Sequence, residues 1–482
     1  MTNLFIHEYI ISIIDLLTVF IITSKFIILL TIIILMIIQI IIKPNINKQQ
    51  NFSPINENYI KTYDINLLFP YLIKSKIKVG IYLVSIKNGG IERLTSLLIN
   101  YLSKITFLEL YLFTQIKENN EYKIPENISR TIVKYNVKNL IREAKKKKID
   151  ILIYNLYYYE EINILNKVKE FKTIFYNHSC FLFWIYAHSF DLVYSLYTSY
   201  KKAKYVISLV PFENDYIFKK WGINSILMDN FITYEYNKVI PSDLKSKIIL
   251  MIGRASDKYK RFDLGIKSMK YIIKKVPQSK MIIISDLNDL DYMHNLIRNL
   301  TLDNHIKFVG YTNSPEIYYK NASLHIFPTI SESFGLVMCE TKIFGIPNII
   351  VGIDYISPII GGTIIIYDDN PESIAVEAIK ILNNDTYRIK LGKDARKSMK
   401  AFHNNLTLNK WVNLILAIYN GKQYYDSLRL QEIKIKEKDA KTIMQKQIKL
   451  LKMRDVSFTN ISIRDIENFT LLINYFQKIK NS

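Results

Sequence analysis

Cysteine is almost missing from this chain. Cys180 and Cys339 are the two among 482 residues, too few for a disulfide framework or a zinc site. Two reduced thiols in a reducing compartment are the expectation. Glycine and proline are scarce, at 14 and 12 residues, which excludes collagen-like and proline-rich architectures. Acid is short relative to base: 43 Asp and Glu stand against 65 Lys and Arg, for a formal net charge of +22. An excess of that size attracts anions, whether nucleic acid, acidic lipid or phosphorylated small molecules, and charge alone does not choose among them. What is abundant is apolar. The chain is 49% hydrophobic and 22% charged, which rules out disorder. Its length is about three times that of a usual domain, so two or three domains are expected.

Residues 26–42, FIILLTIIILMIIQIII, form an uncharged apolar run. As a helix they reach roughly 25 Å, and with Ile21 to Ser24 the run approaches the ~30 Å hydrocarbon thickness of a bilayer. Residues 4–24 are also apolar but carry Glu8 and Asp15, and read as an interfacial helix or a second short span. No basic leader or small-residue cleavage site marks a signal peptide. The expectation is a membrane anchor over 1–42, with a single span at about 21–42; a buried hydrophobic hairpin is the other reading. Lys43, Lys48 and Lys61 follow the run, so the positive-inside bias places the rest of the chain on the cytoplasmic side.

Residues 43–76 are polar and Asn-rich and read as a linker. Short apolar runs then alternate with helical periodicity. IKVGIYLV (77–84), FLELYLF (107–113), IDILIY (149–154), KTIFY (172–176) and YVISL (205–209) read as strands, with a helix over 91–104. The pattern restarts with KIILMIG (247–253), KMIIIS (280–285), HIKFVG (305–310), SLHIF (323–327) and NIIVG (348–352), with helices from about 261 and 335. Strands alternating with helices imply parallel sheets with right-handed crossovers. Two such series predict two doubly wound α/β domains, 77–240 and 241–402, facing a cleft. Ligands are expected beyond the carboxyl ends of the strands.

Three constellations carry chemistry. The first runs from Pro328 through Glu332, Phe334 and Gly335 to Glu340. It follows a strand and opens a helix, so the amides of Phe334, Gly335 and Leu336 form a ready anion site. Gly335 removes a side chain where a phosphate must come close. Two carboxylates framing that site suit recognition of hydroxyls, on a sugar at one end and a ribose at the other; an acid-favouring helix N-terminus is the plainer reading. The second is Gly253-Arg254 followed by Lys260-Arg261-Phe262-Asp263. Arg254 and Lys260 flank one loop and could converge on a diphosphate, a fork and a point charge that neutralise a leaving group. Two solvated cations are the alternative in so basic a chain. The third is Asn88-Gly89-Gly90-Ile91-Glu92-Arg93, where paired glycines between strand and helix permit close backbone approach to a ligand, or merely a tight turn. His178 follows the KTIFYN strand at its carboxyl end, where a functional and a structural histidine are equally expected.

In this order and spacing the three motifs resemble the glycosyltransferase family 4 members of the GT-B fold, over roughly residues 77–420. The resemblance implies that Glu332 holds the donor sugar and Glu340 the nucleotide ribose. It implies that Arg254 and Lys260 grip the diphosphate, that Gly89 and Gly90 approach donor and acceptor, and that His178 lies near the donor sugar. It further implies a retaining transfer from a nucleotide sugar by front-side attack, with no metal and no cofactor beyond the nucleotide-diphosphate sugar as co-substrate. Asp289-Leu290-Asp291 lies away from the motif loops and reads as surface. Where many members carry a glycine-rich turn, this chain has Ser285-Asp286-Leu287-Asn288; Tyr311 is the candidate for the base pocket.

Residues 403–420 read as a last helix crossing back to the first domain, and 421–482 as a basic helical extension. Its stretch from Leu428 to Met453 mixes apolar residues with lysines, which suits a helix on anionic membrane or one packed on the body. The expected partners are a nucleotide sugar, a glycan or glycolipid acceptor and membrane lipid. The alternative is a tethered scaffold that binds a nucleotide sugar without turnover. Nucleic acid, suggested by charge alone, is not expected because no recognised motif supports it.

Overall fold

The structure is a computed structural model and describes residues 75–87, 89–134, 136–156, 171–180, 190–312, 314–424 and 446. The anchor expected over 1–42, nearly all of the linker, and most of the C-terminal extension lie outside the described residues. Among the described residues no helix is long and apolar enough to cross a membrane.

The described body has two lobes, each built on a parallel sheet. In the first, β1 (Ile77–Leu83), β2 (Leu108–Thr114), β3 (Ser129–Ile132), β4 (Ile151–Leu156), β5 (Lys172–Asn177), β6 (Tyr205–Ser208) and β7 (Ser225–Leu227) lie in the order 3-2-1-4-5-6-7. In the second, β8 (Ile248–Ile252), β9 (Lys280–Ile284), β10 (Ile306–Phe308), β11 (Leu324–Phe327), β12 (Asn348–Val351) and β13 (Thr363–Ile366) lie in the order 10-9-8-11-12-13. The central strands are apolar along their whole length, as in β8, IILMI, because helices cover both faces of such sheets. Three strands escape the sequence reading: β3, β7 and β13 are short, and each is the edge of its sheet.

Helices α1 (Gly90–Leu102), α2 (Val137–Lys146) and α3 (Phe190–Lys202) belong to the first lobe; α4 (Phe262–Lys275), α5 (Asp291–Asn299), α6 (Leu336–Ile343), α7 (Pro371–Asn383) and α8 (Asp385–Ser398) to the second. Their starts follow local chemistry. Asn136 caps α2 by accepting from the Lys138 amide at 2.9 Å, and Asn370 caps α7 ahead of Pro371, whose missing N–H costs nothing there. The last helix, α9 (Asn404–Tyr419), crosses back to the first lobe. Its Trp411 is fully buried, 5.4 Å edge-on to Tyr176 of β5. At its start Asn404 accepts from the Ile232 amide at 2.7 Å and donates to the Ile232 carbonyl at 2.8 Å and to the Tyr101 hydroxyl at 2.7 Å.

The apolar core continues between the lobes. Phe212 of the first lobe meets Tyr355 of the second edge-on at 5.4 Å, and Phe334 of the second lobe joins the apolar cluster of Ile81 and Tyr176 in the first. Of the C-terminal extension residues 421–424 and 446 are described; Lys446 pairs with Asp354 at 3.3 Å and lies over the Tyr367 ring.

Candidate active site

Strand order reverses direction beside β1 and β4 in the first lobe and beside β8 and β11 in the second. In such sheets the loops leaving these strands diverge, and the crevice between them is the usual place for a ligand. All three sequence constellations leave β1, β8 or β11.

The loop after β8 is built to deliver Lys260. Asp257 accepts from the Tyr259 amide at 2.9 Å and caps the short turn Lys258–Lys260. The Tyr259 carbonyl then accepts from the Ile330 amide at 2.8 Å, which fastens this turn to the loop after β11. Lys260 Nζ thereby reaches the Glu332 carboxylate and pairs with it, 5.8 Å from the centre of the Phe327 ring. Arg254 is not part of this pair. Its side chain is 70% exposed, with Asp257 at 3.8 Å as its ionic contact, an arrangement that contributes little to stability and leaves the guanidinium free to turn.

Four residues past Glu332, α6 begins. Gly335 takes φ +77°, a left-handed conformation that favours glycine, and the Leu336 amide opens the helix behind it. Leu336 is half-buried, whereas Phe334 points inward and is buried between the lobes. The Tyr355 hydroxyl accepts from the Glu332 amide at 3.5 Å, so the loop after β12 backs the acidic loop.

Glu340 is fully buried. Its carboxylate accepts from Arg93 Nη2 at 2.8 Å, the Thr233 hydroxyl at 2.9 Å and the Tyr319 hydroxyl at 2.8 Å. Arg93 comes from α1, so this ion pair bridges the lobes. Burial works against the Arg93 charge, yet the Glu340 carboxylate prevails and holds its pKa above the usual arginine range. Glu340 and Glu332 therefore stand differently: one is saturated with partners, the other shares a single lysine at the crevice.

The remaining candidates scatter around this centre. Gly90 opens α1 with empty space where a Cβ would be, and Gly89 lies under the Glu92 carboxylate, 1.8 Å from such a Cβ. Asn88 lies outside the described residues. His178 is buried at the end of β5, its Nε2 2.7 Å from Asn155 Oδ1 and its ring tilted at 37° against Tyr176, 4.0 Å between centroids. The Ser333 hydroxyl donates to the His178 carbonyl at 2.6 Å and brings it beside the acidic loop. Burial pushes the imidazole pKa down to about 3, so the ring is neutral. Tyr311 is 53% exposed after the edge strand β10 and shares a hydrogen bond with Tyr122 of the first lobe. Asp289 and Asp291 are exposed. Among the described residues no three His, Cys, Asp or Glu side chains are placed to hold a metal ion.

Sequence reasoning assigned no role to Arg93, Thr233, Tyr319, Ser333, Tyr355 or Asn155. Arg93 and Ser333 stand inside quoted motifs and could have been marked by adjacency. Thr233, Tyr319 and Asn155 carry no local signal, because only the fold brings them to the site.

Two parallel-sheet lobes with facing strand-end loops define the GT-B architecture. Residues 234–398, essentially the second lobe, match the family model "Glycosyl transferases group 1". An uncharacterised glycosyltransferase of Haemophilus influenzae is 25% identical over 292 residues, which is 56% of this chain and 79% of that protein. A capsular polysaccharide biosynthesis glycosyltransferase of Staphylococcus aureus, CapM, is 25% identical over 224 residues, 45% of this chain and 56% of the relative. Among solved structures, HepE of Anabaena in complex with UDP and glucose superposes with a TM-score of 0.57 at 13% identity, covering 71% of this chain and 99% of that one. That likeness is one of fold.

Proposed function

We propose that this protein is a membrane-anchored, retaining glycosyltransferase of family 4 that moves a sugar from a nucleotide-sugar donor to a lipid-linked or surface glycan acceptor. The carrying observation is the Lys260–Glu332 pair at the crevice, beside the amides that open α6. A cation for a diphosphate and a carboxylate for sugar hydroxyls are held at one point by the loops of two neighbouring strands. The match of residues 234–398 and the likeness to a fold that carries UDP and glucose support the same reading.

In this reading the donor diphosphate displaces Glu332 from Lys260. Lys260, the α6 amides and a swung-in Arg254 neutralise charge as the C1–O bond to the phosphate breaks. The acceptor hydroxyl attacks C1 from the same face, and its proton passes to the departing phosphate oxygen. Glu332, released, accepts hydrogen bonds from the sugar. Glu340 receives the ribose hydroxyls once Arg93 yields, Gly90 leaves room for the acceptor beside Gly89, whose own space the Glu92 carboxylate fills, and Tyr311 lies towards the base. The reaction as drawn needs no metal and no further cofactor. Residues 1–42 tether the body to the cytoplasmic face, where a polymer or lipid-linked acceptor is assembled; the S. aureus relative serves capsular polysaccharide biosynthesis.

The test is transfer and hydrolysis of uridine and guanosine diphosphate sugars by the purified protein. Lys260→Ala and Glu332→Ala should each lower kcat/KM by about 100-fold or more, the usual effect of removing one group that stabilises developing charge. Unchanged turnover in both variants rejects the site. Binding without turnover in the wild type rejects catalysis in favour of a tethered binding protein.

A further inference from the structure

The strands of the first lobe are parallel, so all of them start at one face, opposite the loops that line the crevice. Five of the seven are entered through an exposed lysine: Lys76 stands ahead of β1, Lys104 ahead of β2, Lys148 ahead of β4 and Lys204 ahead of β6, and Lys172 opens β5. Helices α2 and α3 end on the same face, each with two lysines in its last turn. The pull of a helix C-terminus on cations accounts for those four. It does not account for Lys76 and Lys172, which lie on no helix. The acids here are engaged: Asp150 accepts from the Lys78 amide at 2.8 Å, Glu109 from the Tyr111 hydroxyl, and Glu143 pairs with Arg142 at 3.3 Å. Exposed Glu126 stands ahead of the edge strand β3, away from the centre of the sheet. Lysines gathered on one face repel one another, a cost that an anionic surface removes.

The chain also enters and leaves the body at this face. Ser75 leads directly into β1. At the other end, Lys172 Nζ donates to the Tyr419 carbonyl at the close of α9, at 3.0 Å, and the Tyr205 hydroxyl of β6 accepts from the Tyr424 amide at 2.9 Å. The sequence ahead of Ser75 carries the apolar run of 26–42, and the sequence after Tyr424 the mixed apolar and lysine stretch of 428–453. Positive charge, chain entry and chain exit therefore coincide on one side of the first lobe.

We propose that this strand-entry face of the first lobe rests on an anionic bilayer surface, so that the strands stand upright and the crevice opens away from the lipid. The inference rests on the anchored-transferase reading above. The negative lipids of a cytoplasmic leaflet supply the attraction, which falls off within a Debye length of about 8 Å, so the lysines meet the headgroups closely. Strand β1 has seven residues and spans about 23 Å at the usual strand rise. The crevice stands about that far above the headgroups. An acceptor has to cover this height: the outer end of a lipid-linked glycan does so, and the phosphate of a bare carrier lipid does not.

The experiment uses the full chain in nanodiscs of phosphatidylcholine alone or of an equal mixture with phosphatidylglycerol. Both native cysteines are buried, so a dye can be placed selectively on Thr106→Cys, exposed at this face, or on Asn119→Cys, exposed beyond the end of β2. In anionic discs, energy transfer to a headgroup dye should be more efficient from Thr106→Cys than from Asn119→Cys. The difference should be lost in neutral discs and in molar salt. Equal efficiencies in anionic discs, the reverse order, or a difference that neutral discs preserve each overturn the inference. Lys104→Gln, Lys145→Gln, Lys146→Gln and Lys204→Gln together should remove the difference while thermal unfolding stays unchanged. The same replacement of four exposed second-lobe lysines, Lys270, Lys275, Lys320 and Lys393, should leave it. If both sets act alike, net charge and not this face meets the lipid, and the inference falls. A DNA duplex that raises the anisotropy of the Thr106→Cys dye, where anionic discs draw no energy from it, assigns the face to nucleic acid and overturns the inference as well. Glycosylation of a bare polyprenyl phosphate in the discs overturns the crevice's height. A chain that turns over no nucleotide sugar while the energy-transfer difference holds overturns the transferase reading alone.

Discussion

At the scale of single residues, Lys342 shows how burial tunes a charge beside the site. It lies in α6, fully buried, and its ammonium donates to the Pro358 and Ile360 carbonyls in the loop between β12 and β13. Burial pushes its pKa down to about 7, partly offset by Cys339. The unfolded chain binds this proton up to about pH 10.4, while the folded protein releases it near 7. Between those values the unfolded state holds more protons, so stability rises with pH and is lowest below 7. Urea unfolding at pH 7 and 9.5 should show the wild type gaining stability relative to Lys342→Met, by at most about 1.4 kcal/mol per pH unit. Parallel lines for the two proteins would contradict this. Such residues were silent in the sequence. Lys342 looks like one more lysine in a chain with 65 basic residues, and Arg93 like the tail of a glycine turn. Their roles come from desolvation and from partners far away in the chain, neither of which has a local signature.

At the scale of elements, the legible parts were those with long apolar runs. Central strands buried on both faces must be apolar throughout, and β1, β4, β5, β8, β9, β11 and β12 were read within a residue or two. The edge strands β3, β7 and β13 need less apolar surface, and Ser129–Ile132 is partly exposed along its length. β3 and β7 therefore left only a weak pattern, and β13, though Thr-Ile-Ile-Ile, is four residues long. The start of α6 was legible because its chemistry is local: a glycine before an apolar helix and after a strand. Gly335 carries the sharpest expectation for an element. An added Cβ at φ +77° would stand 3.3 Å from Ile356 Cδ1, and the left-handed conformation itself costs about 1–2 kcal/mol for any other residue. Gly335→Ala should lower unfolding stability by that amount and weaken nucleoside diphosphate binding measurably in a calorimetric titration. Wild-type affinity in this variant would show that no phosphate approaches the helix tip.

At the scale of the whole molecule, the two lobes share one strand order, and their paired switch points hold the constellations that the sequence placed at strand ends. The contacts that join the lobes were not legible. Arg93 to Glu340, Ser333 to His178 and Phe212 to Tyr355 connect residues from distant parts of the chain. Asn404 is one of the polar residues that hold this assembly together. Its side chain satisfies both the amide and the carbonyl of Ile232. Asn404→Ala would leave those groups buried and unpaired, and should cost about 2 kcal/mol in chemical denaturation; a loss under about 0.5 kcal/mol would show that water replaces it. The same residue has a mechanical meaning. The chain passes between the lobes twice, once after β7 and once before α9, and Asn404 stitches the two passages together. Two strands of a gangway lashed side by side act as one pivot pin. Any swing of the first lobe against the second, like the covers of a book, would turn about that one point, Ile232 bound to Asn404.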